Sequence, residues 1–396
     1  MSSNKVSISI GFGKYTGPGV GAMTLLLPAK MPNKVRSVSI VNGAGAIREM
    51  GVAARDLTSI TLVSAGDQGA YVAFTAPGGT AGNMAALACG IDSIIADCSP
   101  PPLQEGWWRG NTHTHSNQSD GDSAPEAAVG WYAVNGYDFV TLTDHDKVTS
   151  VQSNEILVLN GSEITAKNYP ALHVAVSNIQ TNIDKGDGDE TQAVNAVLNN
   201  TPSTAMAILA HPGWYGAPIA KLAAITNLRF IEVFNACPTI LSSESIWDQV
   251  LMARIASGNK APLYGVAADD THTFASNATP DKATPGHGWV MVRASAPAPT
   301  AAAVVSAMQQ GDFYSSTGVT LEALTRTSTS VSLKAIADAD KTYTVHVAVA
   351  RASGLTTTII NGLDASYTLQ SGDLYARLVA VSSTGTMAWT QPVIAP

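Results

Sequence analysis

Residues 107–121 read WWRGNTHTHSNQSDG, an apolar, strand-like start that ends in two histidines separated by one residue. Along a strand, positions i and i+2 point to the same face, so His113 and His115 project their imidazoles side by side. That is a two-point grip for a metal ion. Its meaning depends on what the neighbouring strands carry.

From residue 107 to about 316, apolar strands take turns with helical segments. The strands are WWRGNTHTH, DFVTLTDHD, ILVLNGSEI, ALHVAVSN, AMAILAHP, RFIEVFNA and PLYGVAADD; the helices include APEAAVGWYAVNG, DETQAVNAVLNN, PIAKLAAITN and SESIWDQVLMARIASGN. Such alternation calls for a parallel sheet, and seven units suffice to close a barrel. Each remaining candidate lies at or just past a strand's C-terminal end or on its inward face: His145 after FVTLTD, Glu163 after LVLNGS, His173 in LHVAV, His211 after MAILA, Asp270 and His272 after LYGVAAD. Barrels build their chemistry on that rim, and unrelated structural histidines have no reason to recur there.

The flanks read differently. Up to about residue 100, runs such as KVSISI, VRSVSIV, SITLVS and AYVAFTA alternate between Gly, Pro and Asn turns, the pattern of a β-sandwich, and CSPPPLQEG forms a stiff linker. After TAAAVVSAMQQGDFYSS, SVSLKAIA, YTVHVAVA, TTTIING and LYARLVAVS return to alternation, with His346 as a strand residue. The expected organisation is an N-terminal β-sandwich over 1–100, an α/β barrel over 101–321 and a C-terminal β-sandwich over 322–396.

Composition removes whole classes of function. Charged residues make up 13% of the 396 residues, against roughly 25% in an average soluble protein. The net charge of −8 and the lack of any Lys/Arg run argue against nucleic acid or an anionic membrane as partner. No apolar stretch approaches the ~18 residues of a membrane span, so the chain is expected to be soluble. The start MSSNKVSISIGFG has no apolar signal core. The location is then either the cytoplasm or, with a leader removed, the periplasm or exterior. The expected partner is a small-molecule substrate, with self-association open. Cys89 and Cys98 are close enough to bridge in an oxidising compartment, Cys237 has no nucleophile context, and the spacing of the three is not that of a zinc site.

The pieces HTHSNQSDG, LTDHD, NGSEIT, LHVAV, AHPGW and DDTH, in this order, resemble the PHP (polymerase and histidinol phosphatase) metallohydrolases. The WWRGNTHTHS entry and the C-terminal YARLVAVSSTGTMAWTQP look like that superfamily's carbaryl-hydrolase-type branch, whose barrel is flanked by β domains. The resemblance implies a distorted (βα)7 barrel with two or three divalent ions at its mouth. It gives His113, His115, Glu163 and Asp270 to the first ion, with Glu163 bridging to a second held by His173 and His211. Asp120, His145 and His272 go to a third. The family's Asp-x-His spacing selects Asp270 over Asp269, and some members carry His in place of Asp120.

Mixed imidazole and carboxylate donors suit Zn, Mn or Fe(II), with Zn or Mn favoured. Two such ions about 3.5–4 Å apart can share a water, lower its pKa toward ~7 and so supply a hydroxide nucleophile. Glu163, His211 and His272 are accordingly assigned to catalysis. His287 in TPGHGWVMV is added as a general acid or oxyanion donor approaching from a Gly-rich turn. Glu232 is a candidate to orient a histidine, Asp144 or Asp146 to support His145, and Trp214 and Tyr215 to line the entrance, while Trp131 belongs to a helix core.

Near the rim motifs the cations are Arg109, Lys147 and Lys167, few for a phosphomonoester dianion. This favours phosphodiesters or phosphotriesters with an aryl leaving group, then aryl carbamates or carboxylic esters. A non-catalytic surface or carbohydrate-binding protein would be expected to lack ligands, and none of the expected positions is vacant.

Overall fold

Short β-branched runs between turn residues give seven strands among the described residues of the first hundred. The computed structural model describes the backbone of these strands, and residues 107–396 apart from 168–170, 215, 238–242, 276–281, 294–297 and 339. KVSISI, the CSPPPLQEG linker, Cys89, Cys98 and Tyr215 fall outside the described residues. Two compact units are present: Met1–Pro102 with Ala133–Gly136, and Leu103–Tyr132 with Tyr137–Pro396.

The first unit holds β1 (Val20–Leu26), β2 (Ser37–Asn42), β3 (Ile47–Gly51), β4 (Ser59–Ala65), β5 (Ala70–Thr75), β6 (Ala81–Gly82) and β7 (Ile91–Asp97). They form two antiparallel sheets, β1-β4-β5-β6 and β3-β2-β7.

The second unit is mixed α/β around one large sheet. Its first half runs β8 (Trp107–Asn111), α1 (Pro125–Val134), β9 (Phe139–Leu142), β10 (Leu157–Thr165), β11 (His173–Ser177), α2 (Glu190–Asn200), β12 (Met206–Ala210), α3 (Ile219–Ala223), β13 (Phe230–Asn235), α4 (Glu244–Ala256) and β14 (Tyr264–Ala268). These seven strands lie side by side in chain order. The expected all-parallel pattern is corrected at one strand: β11 runs antiparallel to both β10 and β12, and the other neighbours are parallel. Among the described residues, no helix separates β9 from β10, or β10 from β11.

Packing explains which faces are apolar. Trp108, Phe139, Leu159, Ile208, Phe230 and Val266 come from β8, β9, β10, β12, β13 and β14 and share one buried cluster with Val304 and Met308 of α5 (Ala301–Gln309). The opposite strand faces, with Val174, Leu209, Ile231 and Val233, pack on Val194 and Val197 of α2, Leu222 of α3 and Leu251 of α4. In β8, Gly110 makes room for the Phe139 ring, whose atoms lie 2.0–2.3 Å from where a Cβ would stand. Gly110→Ala is therefore expected to lower stability by about 1–3 kcal/mol, measured by denaturant unfolding.

From β8 the sheet continues through β15 (Trp289–Arg293), β16 (Phe313–Ser316), β23 (Met387–Thr390), β22 (Asp373–Ser382), β19 (Tyr343–Arg351) and β20 (Gly354–Asn361), with β24 (Val393–Ile394) beside β22. A second sheet, β17 (Leu321–Arg326), β18 (Ser330–Ala335) and β21 (Asp364–Thr368), shares an apolar cluster with it: Leu321, Val331 and Leu333 against Val345, Val347 and Leu378. The strands past residue 321 are thus joined to the large sheet through the β16–β23 pairing and belong to the second compact unit. No helix of the described residues is long and apolar enough to cross a membrane.

Candidate metal centre

The chain continues past β8 and past β14 until the two extensions meet. Thr114 bridges Thr271 in parallel, His115 N–H donates to the Thr271 carbonyl (2.9 Å), and Asp270 N–H donates to the His113 carbonyl (3.0 Å). This seam sets His113 and His115 beside Asp270 and His272. A second bridge sets His145 beside Glu163. His173 opens β11 instead of closing a strand, yet it pairs with Thr165 at the end of β10 and Ala210 at the end of β12. Reversal of β11 is what brings its first residue to the same rim.

The four atoms His113 Nε2, His115 Nε2, Glu163 Oε2 and Asp270 Oδ1 crowd one point. His113 Nε2 lies 3.2 Å from both carboxylate oxygens, His115 Nε2 lies 3.2 and 3.1 Å from them, and the two nitrogens are 3.1 Å apart. All four residues are buried, and Asp270 Oδ1 has no hydrogen-bond partner. Donors about 2.0 Å from a tetrahedrally held Zn would be separated by about 3.3 Å. The donor set and its spacing therefore fit a divalent ion. His113 Nδ1 meets Glu232 Oε1 at 2.7 Å, so a proton on Nδ1 leaves Nε2 as the bare donor.

Glu163 is also the meeting point of three further imidazoles. Its Oε1 lies 2.7 Å from His173 Nδ1 and 2.8 Å from His211 Nε2, and its Oε2 lies 3.3 Å from His145 Nδ1. His145, Glu163 and His173 form one group able to hold an ion, and His115, Asp120, His145 and His272 form another. In the latter, Asp120 Oδ2 is 3.6 Å from His145 Nε2 and 3.3 Å from His272 Nε2. His272 Nδ1 lies 2.8 Å from the Asp270 carbonyl, which turns its Nε2 toward Asp120.

The charges are mutually dependent. Burial alone would raise the Glu163 carboxyl pKa, but the surrounding imidazoles, His113 foremost, hold it well below the usual range. Burial likewise disfavours a charged His115, yet Asp270 and Glu163 outweigh it and push His115 up to about 9. The cluster thus attracts positive charge, protons or a metal ion, and metal affinity should weaken as the pH falls.

Further residues hold these in place, and most carry no motif. Glu232 Oε2 accepts from His211 N–H and from Asn235 Nδ2, both at 2.8 Å, and Asn235 Nδ2 also donates to Asp270 Oδ2 at 3.1 Å. Residues three apart on a regular strand face opposite ways; here β13 carries a register shift between Glu232 and Phe234, which lets both reach the site. Asp144 accepts from Ser116 N–H, Ser116 Oγ and Ser119 Oγ, and so shapes the loop leading to Asp120. Asp146 is exposed and accepts from Thr165 N–H. His211 and Asp270 have φ of 27° and 51°, a left-handed backbone that is unusual outside glycine and held here by these bonds. Glu232→Gln is expected to weaken metal binding about 10–100-fold with the fold retained, read by competition with a chelator.

Asp269, one residue from the cluster, does different work. It accepts backbone N–H groups from Gly286, His287 and Gly288 at 2.7–2.9 Å and the Tyr132 hydroxyl at 2.9 Å. His287, expected in catalysis, has its backbone tied to Asp269 and its exposed ring 3.0 Å from Thr284 Oγ1. His346 lies in β19, 3.3 Å from Thr344 Oγ1. Trp131 packs on Tyr132, Tyr137 and Phe274.

A cleft of about 370 Å³ opens over the cluster, lined by Asp120, His145, Glu163, His211, Asp270 and His272, with Trp214, Cys237 and Lys282 around them. Trp214 is 40% exposed and stands edge-on to His211, ring centres 5.0 Å apart. Arg109 does not reach the cleft; its guanidinium lies between the Tyr137 and Trp289 rings, 4.0 and 3.8 Å from their centres. Lys147 donates to Gln118. Lys282, which follows the DDTH motif without being part of it, is the cation among the described residues that line the cleft.

No protein-family model matches the chain, and no curated protein matches it. Among solved structures the chain is similar to a two-domain protein from Bacteroides vulgatus containing a predicted PHP-like metal-dependent phosphoesterase. The identity is 16% and the TM-score 0.40, over 72% of this chain and 95% of that one.

Proposed function

We propose that the chain is a metal-dependent hydrolase built on a PHP-type barrel. Within that class we read it as a phosphoesterase acting on di- or triesters with an aryl leaving group. The observation that carries the reading is the convergence of His113, His115, Glu163 and Asp270 on one point at 3.1–3.2 Å spacings, beneath an open cleft. These four would hold one ion; Glu163 with His173 and His211 a second; Asp120, His145 and His272 a third. Zn or Mn bound there would act as a Lewis acid and make water nucleophilic near neutral pH.

The chain's own groups do the rest. Glu232 fixes the His113 tautomer, and the Asp270 carbonyl beside His272 Nδ1 leaves His272 Nε2 facing Asp120 as a bare donor for the third ion. Trp214 offers an apolar edge for an aryl group, and Lys282 a single positive charge for a non-bridging oxygen. Apart from the ions, Lys282 is the cation among the described residues that line the cleft, and so few protein cations favour a monoanionic or neutral ester over a dianionic monoester. The same charge balance suits a second reading, an aryl carbamate or carboxylic ester hydrolase.

Rates on p-nitrophenyl phosphate, bis-p-nitrophenyl phosphate, paraoxon, a p-nitrophenyl ester and an aryl carbamate, with added Zn or Mn, separate the two. Preference for the phosphorus di- and triesters is expected. Preference for the acyl compounds would replace the first reading with the second, and no turnover by metal-loaded protein would end both.

A further inference from the structure

The last strand of the large sheet, β20, has the sequence GLTTTIIN and pairs, among the described residues, with β19 alone. Seven of its residues, Leu355 to Asn361, are exposed. Large apolar side chains are seldom left in the open on such an edge, yet Leu355, Ile359 and Ile360 are 38%, 60% and 37% exposed. They account for most of the exposed large apolar residues described. A long, uncharged, β-branched edge with unpaired backbone groups is a template for another strand.

The other edges in this unit are guarded. β17 carries Glu322 and Arg326, and β21 carries Asp364. The far end of the large sheet, β14, is tied to the β8 extension through Thr114 and Thr271. β20 carries no charge at all, so placing it against itself meets no repulsion.

We infer that β20 pairs antiparallel with β20 of a second copy of this chain, about a two-fold axis at Thr357. The axis stands perpendicular to the sheet, so each face of one sheet continues into the same face of the other and only residues of equal parity oppose each other. Centring on Thr357 sets Leu355 against Ile359 on both sides of the axis and Thr356 against Thr358. Moving the centre to Thr358 would set Leu355 against Asn361 and lose the apolar pairs. The backbone groups of the edge are satisfied by the partner's, and the two large sheets become one.

The test uses the full chain. Light scattering of the wild type at about 50 µM should give twice the chain mass, and Ile359→Lys should give the chain mass with unchanged circular dichroism. Thr357→Cys places a thiol opposite its own copy, within the span a disulfide bridges, whereas Thr356→Cys faces Thr358. Under copper-phenanthroline oxidation, Thr357→Cys should cross-link on the order of tenfold faster than Thr356→Cys, each corrected for the wild type. A monomeric wild type, as expected if another protein's strand were the occupant, would overturn the inference. So would a dimer that Ile359→Lys leaves intact, or equal cross-linking at the two positions.

Discussion

Glu163→Gln is expected to cost at least one bound divalent ion per chain and to lower hydrolysis about a thousandfold or more. Two oxygens of this one carboxylate face five imidazoles: His113, His115 and His145 on one, His173 and His211 on the other. An amide there removes the negative charge and turns an N–H toward nitrogens that need an acceptor or an ion. Metal analysis and turnover measured on the same preparation check it, and His115→Ala should behave alike. Near-normal turnover in either variant at matched metal content would sink the mechanism. The fold should persist, because β10 keeps its backbone pairing with β9 and β11.

The second large effect lies away from the cleft. Arg377 of β22 is buried against α4, its Nε and Nη2 donating to Asp248, its Nη2 also to Glu244 (2.8 Å), and its guanidinium lying over Trp247. Tyr375 OH donates to Asp248 Oδ1 at 2.7 Å. Asp248→Ala would leave a buried cation without its principal acceptor, a loss of about 3–5 kcal/mol. That corresponds to a fall in melting temperature on the order of 10 °C. Turnover per folded molecule at 25 °C should be unchanged. Replacing Asp248 and Arg377 together by leucine should recover most of the loss, since the penalty comes from the unpaired charge.

The histidines were legible in the sequence because parity and strand ends are local properties. His113 and His115 share a face for the reason any i, i+2 pair does, and His145, Glu163, His211 and Asp270 follow runs whose apolar character marks them as strands. Other features depended on partners distant in the chain. Nothing in LHVAV announces that its strand is reversed, so the sequence does not carry the geometry that sets His173 beside Glu163. Asn235 was hidden by the irregularity in β13, which breaks the alternation that reading a strand relies on. Arg109 looked available as a rim cation until the Tyr137 and Trp289 rings enclosed it. Lys282 went unnoticed because it reaches the cleft from a loop with no metal motif of its own. The pairing between β16 and β23 spans too much chain for a local pattern to register.

The seam between β8 and β14 sets a timetable for the growing polypeptide. Asp269 N–H is held by Asn111 Oδ1 across 158 residues of sequence, so the first strand of the site leaves the ribosome long before the last one exists. Until then Asp270 is missing from the group it forms with His113, His115 and Glu163. Long-range closure of this kind is slow relative to helix formation. Completion of the site is therefore a late event in folding, one that waits on the segment that carries Asp270.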